Sequence, residues 1–183
     1  MERARQKSSA KGEQDAIALL MEDHKKVQKL FKQFDKLKEE DEQQKADIVR
    51  QVCAELTIHA QIEEEIFYPA VREAIDDEDL MDEAEVEHAS AKELIAQLQG
   101  MQAGDELYDA KFTVLGEYVN HHIKEEQDEM FPKAKKVKLD MQALGEQLMQ
   151  RKQEMMAEMG MAGEGEQAEE EQAVPRRRRA ASR

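Results

Sequence analysis

The chain has 183 residues, 38 % of them charged and 40 % hydrophobic, with no Trp, three Pro and a net charge of −15. That length allows one domain with a real core, and the abundance of Met, Glu, Lys, Gln and Ala favours helix over sheet. The acidic surplus speaks against a general nucleic-acid binder, because a polyanion would be repelled.

The first fourteen residues read as a loose polar lead-in without an apolar run, so no secretory leader is expected. A helical pattern starts near Asp15. Ile17, Leu20, His24, Val27, Phe31 and Phe34 follow one another at steps of 3, 4, 3, 4 and 3, which is one helix face. A second stripe carries Val49, Val52, Leu56, His59 and Glu63. Both stripes then recur. Adding 64 to the first gives Met81, Ala84, His88, Ala91, Ile95 and Leu98, and adding 63 to the second gives Phe112, Leu115, Val119, His122 and Glu126. The chain therefore contains a duplicated helix pair. Polar stretches at 38–44, 76–79 and 100–104 separate the four helices, and such short connections favour an antiparallel up-down-up-down four-helix bundle over residues 15–133. Proline interrupts helices, so the second and fourth should end or bend at the equivalent Pro69 and Pro132. Residues 134–159 read as an accessory amphipathic helix whose Met141, Leu144, Leu148 and Met155 form a packing face against the bundle or another chain. Residues 160–183 read as a disordered tail, first acidic and then RRRR. No apolar stretch reaches membrane-spanning length, and the lone Cys53, read as a buried filler, suits a reducing cytoplasmic compartment.

Distance from a turn sets height in such a bundle, since each residue rises about 1.5 Å. His24 and His59 centre on position 41.5, His88 and His122 on 105, and His59 and His88 on 73.5, each in or beside a loop. All four imidazoles should share one layer. Glu63 and Glu126 lie four residues after His59 and His122, on the same faces. Buried carboxylates without a cation are costly. Two divalent metals would satisfy the set: His24 and His59 on one, His88 and His122 on the other, Glu63 and Glu126 bridging. Imidazole with carboxylate suits iron, manganese or zinc, and the nitrogen-rich set favours two iron ions. Glu64, Glu65 and Glu125 read as solvated helix face, although Glu64 is within reach of the site's outer surroundings. Glu55 and Tyr118, at matching positions, are candidates to hydrogen-bond the outer imidazole nitrogens. His121 aligns with Ile58 and reads as an edge residue.

The segments EDHKKVQKLF, HAQIEEEIFYP, EHASAKELI and HHIKEEQDEMFP resemble the hemerythrin HHE cation-binding family over roughly residues 15–133. The resemblance implies a four-helix bundle around a non-haem di-iron site that handles oxygen, peroxide or nitric oxide, or that senses iron, and it implies the same six ligands. Oxygen-carrying hemerythrins have H-x-x-x-H on the third helix and an aspartate last. Here Lys92 and Glu126 occupy those places, which points away from simple reversible oxygen carriage. The implied partners are a small diatomic or peroxide ligand, a protein reader of the metal state, or a second copy or protein partner held through the accessory helix.

Overall fold

The computed structural model describes residues 15–161, and no strand is present among them. The lead-in at 1–14 and nearly all of the predicted tail lie outside the described residues. The helices are α1 (Ala16–Phe34), α2 (Glu42–Ile62), α3 (Tyr68–Ala74), α4 (Glu78–Gln99), α5 (Tyr108–Glu125), α6 (Phe131–Lys136) and α7 (Met141–Glu158). Aspartate side chains cap three of them. Asp15 accepts from the Ala18 N–H at 2.8 Å, Asp77 from Leu80 at 3.3 Å and Asp140 from Ala143 at 3.0 Å, each satisfying a donor that the first turn leaves free.

Proline does not end the second and fourth predicted helices. A π-helical turn, Glu63–Phe67, joins α2 to α3, and another, Glu126–Met130, joins α5 to α6. The Tyr68 N–H bonds the Glu63 carbonyl and the Phe131 N–H bonds that of Glu126, five residues back in each case. A proline ring normally strikes the carbonyl four residues earlier. The wider turn opens that space, so Pro69 and Pro132 sit at the start of restarted α-helix. Residues 131–136 consequently extend the fourth helix, and the accessory helix begins only at Met141.

The core falls into two apolar clusters. One gathers Leu20, Ile62, Phe67, Met81, Met130 and Leu148; the other gathers Val27, Phe31, Val52, Phe112, Leu115 and Leu98. Burying a side chain of this size contributes about 1.5–3 kcal/mol. On α1 the boundary between the clusters falls at His24 and on α4 at His88; on α2 it falls between Leu56 and Ile58, beside His59, and after α5 between Ile123 and Met130, just past His122. The histidines thus occupy a polar layer that cuts the core in two. Helix α7 packs on α1, α2 and the first π-turn, with Leu144, Leu148 and Met155 buried in the first cluster. Cys53 is buried in the second cluster, and burial pushes its thiol up to about 11, which makes it a filler and a poor nucleophile.

The third connection, 100–107, is longer than its composition suggested and ends on Leu107 at φ 68°, the left-handed region, with its side chain exposed. A non-glycine residue there is strained. Leu107→Asn should raise stability by about 1 kcal/mol, read as a higher urea midpoint at an unchanged slope.

Candidate metal centre

All six predicted side chains are buried and converge on the layer between the clusters. The Nε2 atoms of His24 and His59 lie 3.0 Å apart, and those of His88 and His122 lie 3.1 Å apart. Each glutamate stands between the two pairs. Glu63 is 3.3 Å from His59 Nε2 and 3.4 Å from His88 Nε2. Glu126 is 3.2 Å from His24 Nε2 and 3.6 Å from His122 Nε2. Glu63, 0 % exposed, has no hydrogen bond on either oxygen, and Glu126 Oε2 has none. Orphaned buried acceptors of this kind are costly. The ligand atoms of His24, His59, Glu63 and Glu126 lie within 4.8 Å of one another, as do those of Glu63, His88 and His122. Imidazole and carboxylate donors in these two groups are of the kinds that hold a metal ion.

The protons report the same crowding. Burial and the neighbouring Glu126 push the Glu63 carboxyl well above its ordinary range. Burial pushes Glu126 up too, but the His122 and His24 imidazoles outweigh it and hold that carboxyl below its usual range. Burial lowers His24. Burial and the facing His122 bring His88 down to about 4, so this ring is neutral, the ligating form, at neutral pH. His122 is also disfavoured by burial, but Glu126 and Glu87 raise it.

The outer ring nitrogens obey the duplication. The residue before each first-helix histidine faces the second-helix histidine: Asp23 lies 3.5 Å from His59 Nδ1, and Glu87 lies 2.7 Å from His122 Nδ1. The residue after each glutamate serves the remaining rings, with Glu64 2.9 Å from His88 Nδ1 and Gln127 3.1 Å from His24 Nδ1. Such contacts fix the tautomer and orientation of a ligating ring. Lys92, standing where oxygen carriers have a histidine, donates to both oxygens of Glu64 at 2.6 Å.

Two expectations need correction. Glu55 does not reach an imidazole; it accepts from Lys26. Tyr118 is 49 % exposed and lines the cavity beside the layer, but it is not the hydrogen-bond partner of any imidazole. The two halves are also not alike. Tyr68, which the sequence reading passed over, donates its phenol to Glu126 Oε1 at 3.0 Å and lies 3.2 and 3.3 Å from the Nε2 atoms of His88 and His122. Burial, together with Glu126 and Glu63, pushes its phenol well above the ordinary range. Its repeat equivalent, Phe131, stacks on His24 at 5.9 Å. The signal was present as a polar residue facing an apolar one at matched positions directly before the two prolines. His121 is exposed, contacting Glu87 at 3.5 Å and Glu125 at 3.2 Å on the surface.

An apolar cavity of about 30 Å³ adjoins the four histidines, walled by Val27, Leu56, Ala91, Ile95, Val119 and Ile123. By volume it admits something the size of one or two waters.

The hemerythrin HHE cation binding domain profile matches residues 15–134, the stretch that carries every one of these groups. The chain belongs to the hemerythrin HHE cation-binding domain family. Among solved structures, this hemerythrin-domain chain is similar to a hemerythrin HHE cation binding domain-containing protein from Mycobacterium kansasii, an Rv2633c homolog. The TM-score is 0.68 at 22 % identity, over 79 % of this chain and 89 % of that one. Among curated proteins it is 29 % identical over 118 residues to a DNA nickase of Nostoc sp. strain PCC 7120, covering 64 % of this chain and 32 % of the nickase. The chain thus spans about a third of that relative's length. Helix α7 lies beyond the matched domain.

Proposed function

We propose that this hemerythrin-domain chain is a non-haem di-metal protein that binds or reacts with oxygen, peroxide or nitric oxide. His24 and His59 hold one ion, His88 and His122 the other, and Glu63 and Glu126 lie between them. Iron is the favoured metal, with manganese or zinc compatible with the same donors. Tyr68 offers a further oxygen on the His88–His122 side. The observation that carries the reading is the pair of buried glutamates, each set between a histidine of one pair and a histidine of the other, with three carboxylate oxygens unsatisfied. The proposed architecture is an antiparallel four-helix bundle. Cluster membership supports it, because α1 and α4 run from the first apolar cluster to the second, while α2, and α5 continued through its π-turn into α6, run the other way.

When bound, the ions would supply redox chemistry; the protein supplies orientation and exclusion of water. Glu64, Glu87 and Gln127 hold the rings with Nε2 turned inward, Tyr68 keeps a proton at Glu126, and the apolar cavity admits a small uncharged ligand beside the histidines. No helix among the described residues is long and apolar enough to cross a membrane, and the buried thiol suits a cytoplasmic setting. Nucleic acid is not the partner on this reading: the match covers only about a third of the nickase, and a charge of −15 repels a polyanion.

Protein expressed with ample iron should carry close to two metals per chain, and its absorption should change on adding peroxide or nitric oxide; a stoichiometry near zero overturns the reading. His59→Ala should lose about half the metal and lower the melting temperature by about 10 °C, whereas His121→Ala should change neither. Equal effects of the two would refute the ligand assignment. Ala91→Phe should fill the cavity and slow ligand binding at least about tenfold, by steric exclusion, while metal content stays at two. Stopped-flow absorbance with nitric oxide reads the rate.

The second reading is a metal-responsive sensor or adaptor, in which occupancy stabilises the fold and a protein partner reads it. It is favoured by the contact between α7, outside the matched domain, and the surroundings of His59.

A further inference from the structure

The four outer imidazole nitrogens are not equally held. Three have partners at 2.7, 2.9 and 3.1 Å. The fourth, His59 Nδ1, is buried without a hydrogen bond, and the acceptor facing it is Asp23 Oδ2 at 3.5 Å. Asp23 is itself buried. Its other oxygen accepts from Lys152, which belongs to α7.

The duplication isolates what is unusual. Glu87, the repeat equivalent of Asp23, faces His121 from within the repeat. Asp23 has no such neighbour, since Ile58 occupies the matching position. Its cation comes from outside the duplicated region. Helix α7 is fixed where it can deliver that cation, because Leu148 is fully buried on one side of Lys152 and Met155 on the other, while Arg151 bonds Glu65 at 2.7 Å.

We propose that Lys152 is a positioning residue for the His24–His59 half of the centre. By compensating Asp23 it keeps a carboxylate buried behind His59 Nδ1, and the carboxylate keeps the ring turned so that Nε2 faces inward. A buried carboxylate stripped of its partner is strongly unfavourable and seeks water, and Asp23 would then leave the ring unheld. The loss of such an outer partner typically weakens metal binding by 10–100-fold. Among the described residues α7 makes no hydrogen bond or ion pair to Glu64 or Glu87, the outer partners of His88 and His122, so the accessory helix sets the retention of one ion of the two.

This inference rests on the metal-centre reading, and the test separates them. Full-length protein loaded with iron is challenged with excess chelator, and release is followed by absorbance. In Lys152→Met, which keeps the apolar stem, one equivalent should leave about 10–100-fold faster than in the parent, with the other unchanged. Lys152→Arg should restore the slow phase. Met155→Ala, which loosens α7 without touching the charge, should lower the melting temperature yet leave the ratio of the two phases as it was. Asp23→Asn should speed the same phase, and adding Lys152→Met to it should bring no further acceleration, since the two act through one contact. The double variant also carries no uncompensated buried carboxylate at position 23, so it remains measurable if Lys152→Met alone fails to fold. Release of both ions at parental rates in Lys152→Met, equal acceleration of both, or additive effects in the double variant would overturn the inference while leaving the metal centre standing. Parent protein that retains no iron would overturn both.

Discussion

Stripping both ions from the protein with a chelator should lower its melting temperature by about 20 °C. Each site filled at about a thousandfold excess over its dissociation constant contributes about 4 kcal/mol to the folded state. In a chain of this size each kcal/mol moves the midpoint by about 2–4 °C. The structure explains why the metal-free form should be so weakened. The polar layer cuts across the core between the two apolar clusters, and without cations it leaves Glu63 and Glu126 buried at 0 % and 1 % exposure with three oxygens unsatisfied. Matched calorimetry of chelated and reconstituted protein reads the difference. A shift of only a few degrees would mean that the layer is stable without ions and that the carboxylates are not there to hold them.

Glu63→Gln should have two effects of opposite sign. In metal-free protein it should stabilise the fold by about 1–3 kcal/mol, because an amide in that position no longer resists burial as a charge and can donate to the facing imidazoles. Burial and Glu126 already push the Glu63 carboxyl strongly toward its neutral form, which is the same penalty seen from the proton's side. In metal-replete protein the variant should be less stable than the parent, because the carboxylate between His59 and His88 is gone. The stability curves of parent and variant should therefore cross as metal is titrated in. Unfolding by urea at several metal levels tests this, and a variant less stable than the parent even in excess chelator would show that Glu63 serves the fold through a neutral contact.

Much of this was legible because the chain states its plan twice. Spacing from the turns set the heights of His24, His59, His88 and His122, and the rings do meet in one layer. The glutamates followed from the four-residue helix repeat. Glu64 apart, the outer contacts were missed because helix-face reasoning looked one turn back, to Glu55 and Tyr118. The structure uses the immediate sequence neighbours instead, Asp23 and Glu87 before a histidine, Glu64 and Gln127 after a glutamate. A residue adjacent to a ligand points about 100° away on its own helix, so it reaches rings on a different one. Tyr68 was hidden for a second reason. The π-turn changes the helical register between Glu63 and Tyr68, and no stripe drawn with a constant period passes through both.

Those two turns also carry a history. A π-turn holds one more residue than the α-helical turn it replaces, and the additional residue falls at the same place in both halves, directly after the glutamate. Two independent acquisitions at one matching position would be a coincidence, whereas a single one in an ancestral helix pair would be copied when that pair doubled. The widened turn is then older than the four-helix chain, and the divergence into tyrosine on one side and phenylalanine on the other came afterwards. Ancestry of this kind predicts that a lone helix pair, associating as a twofold dimer, once enclosed two identical sites, and that the inequality of the present halves is the younger trait.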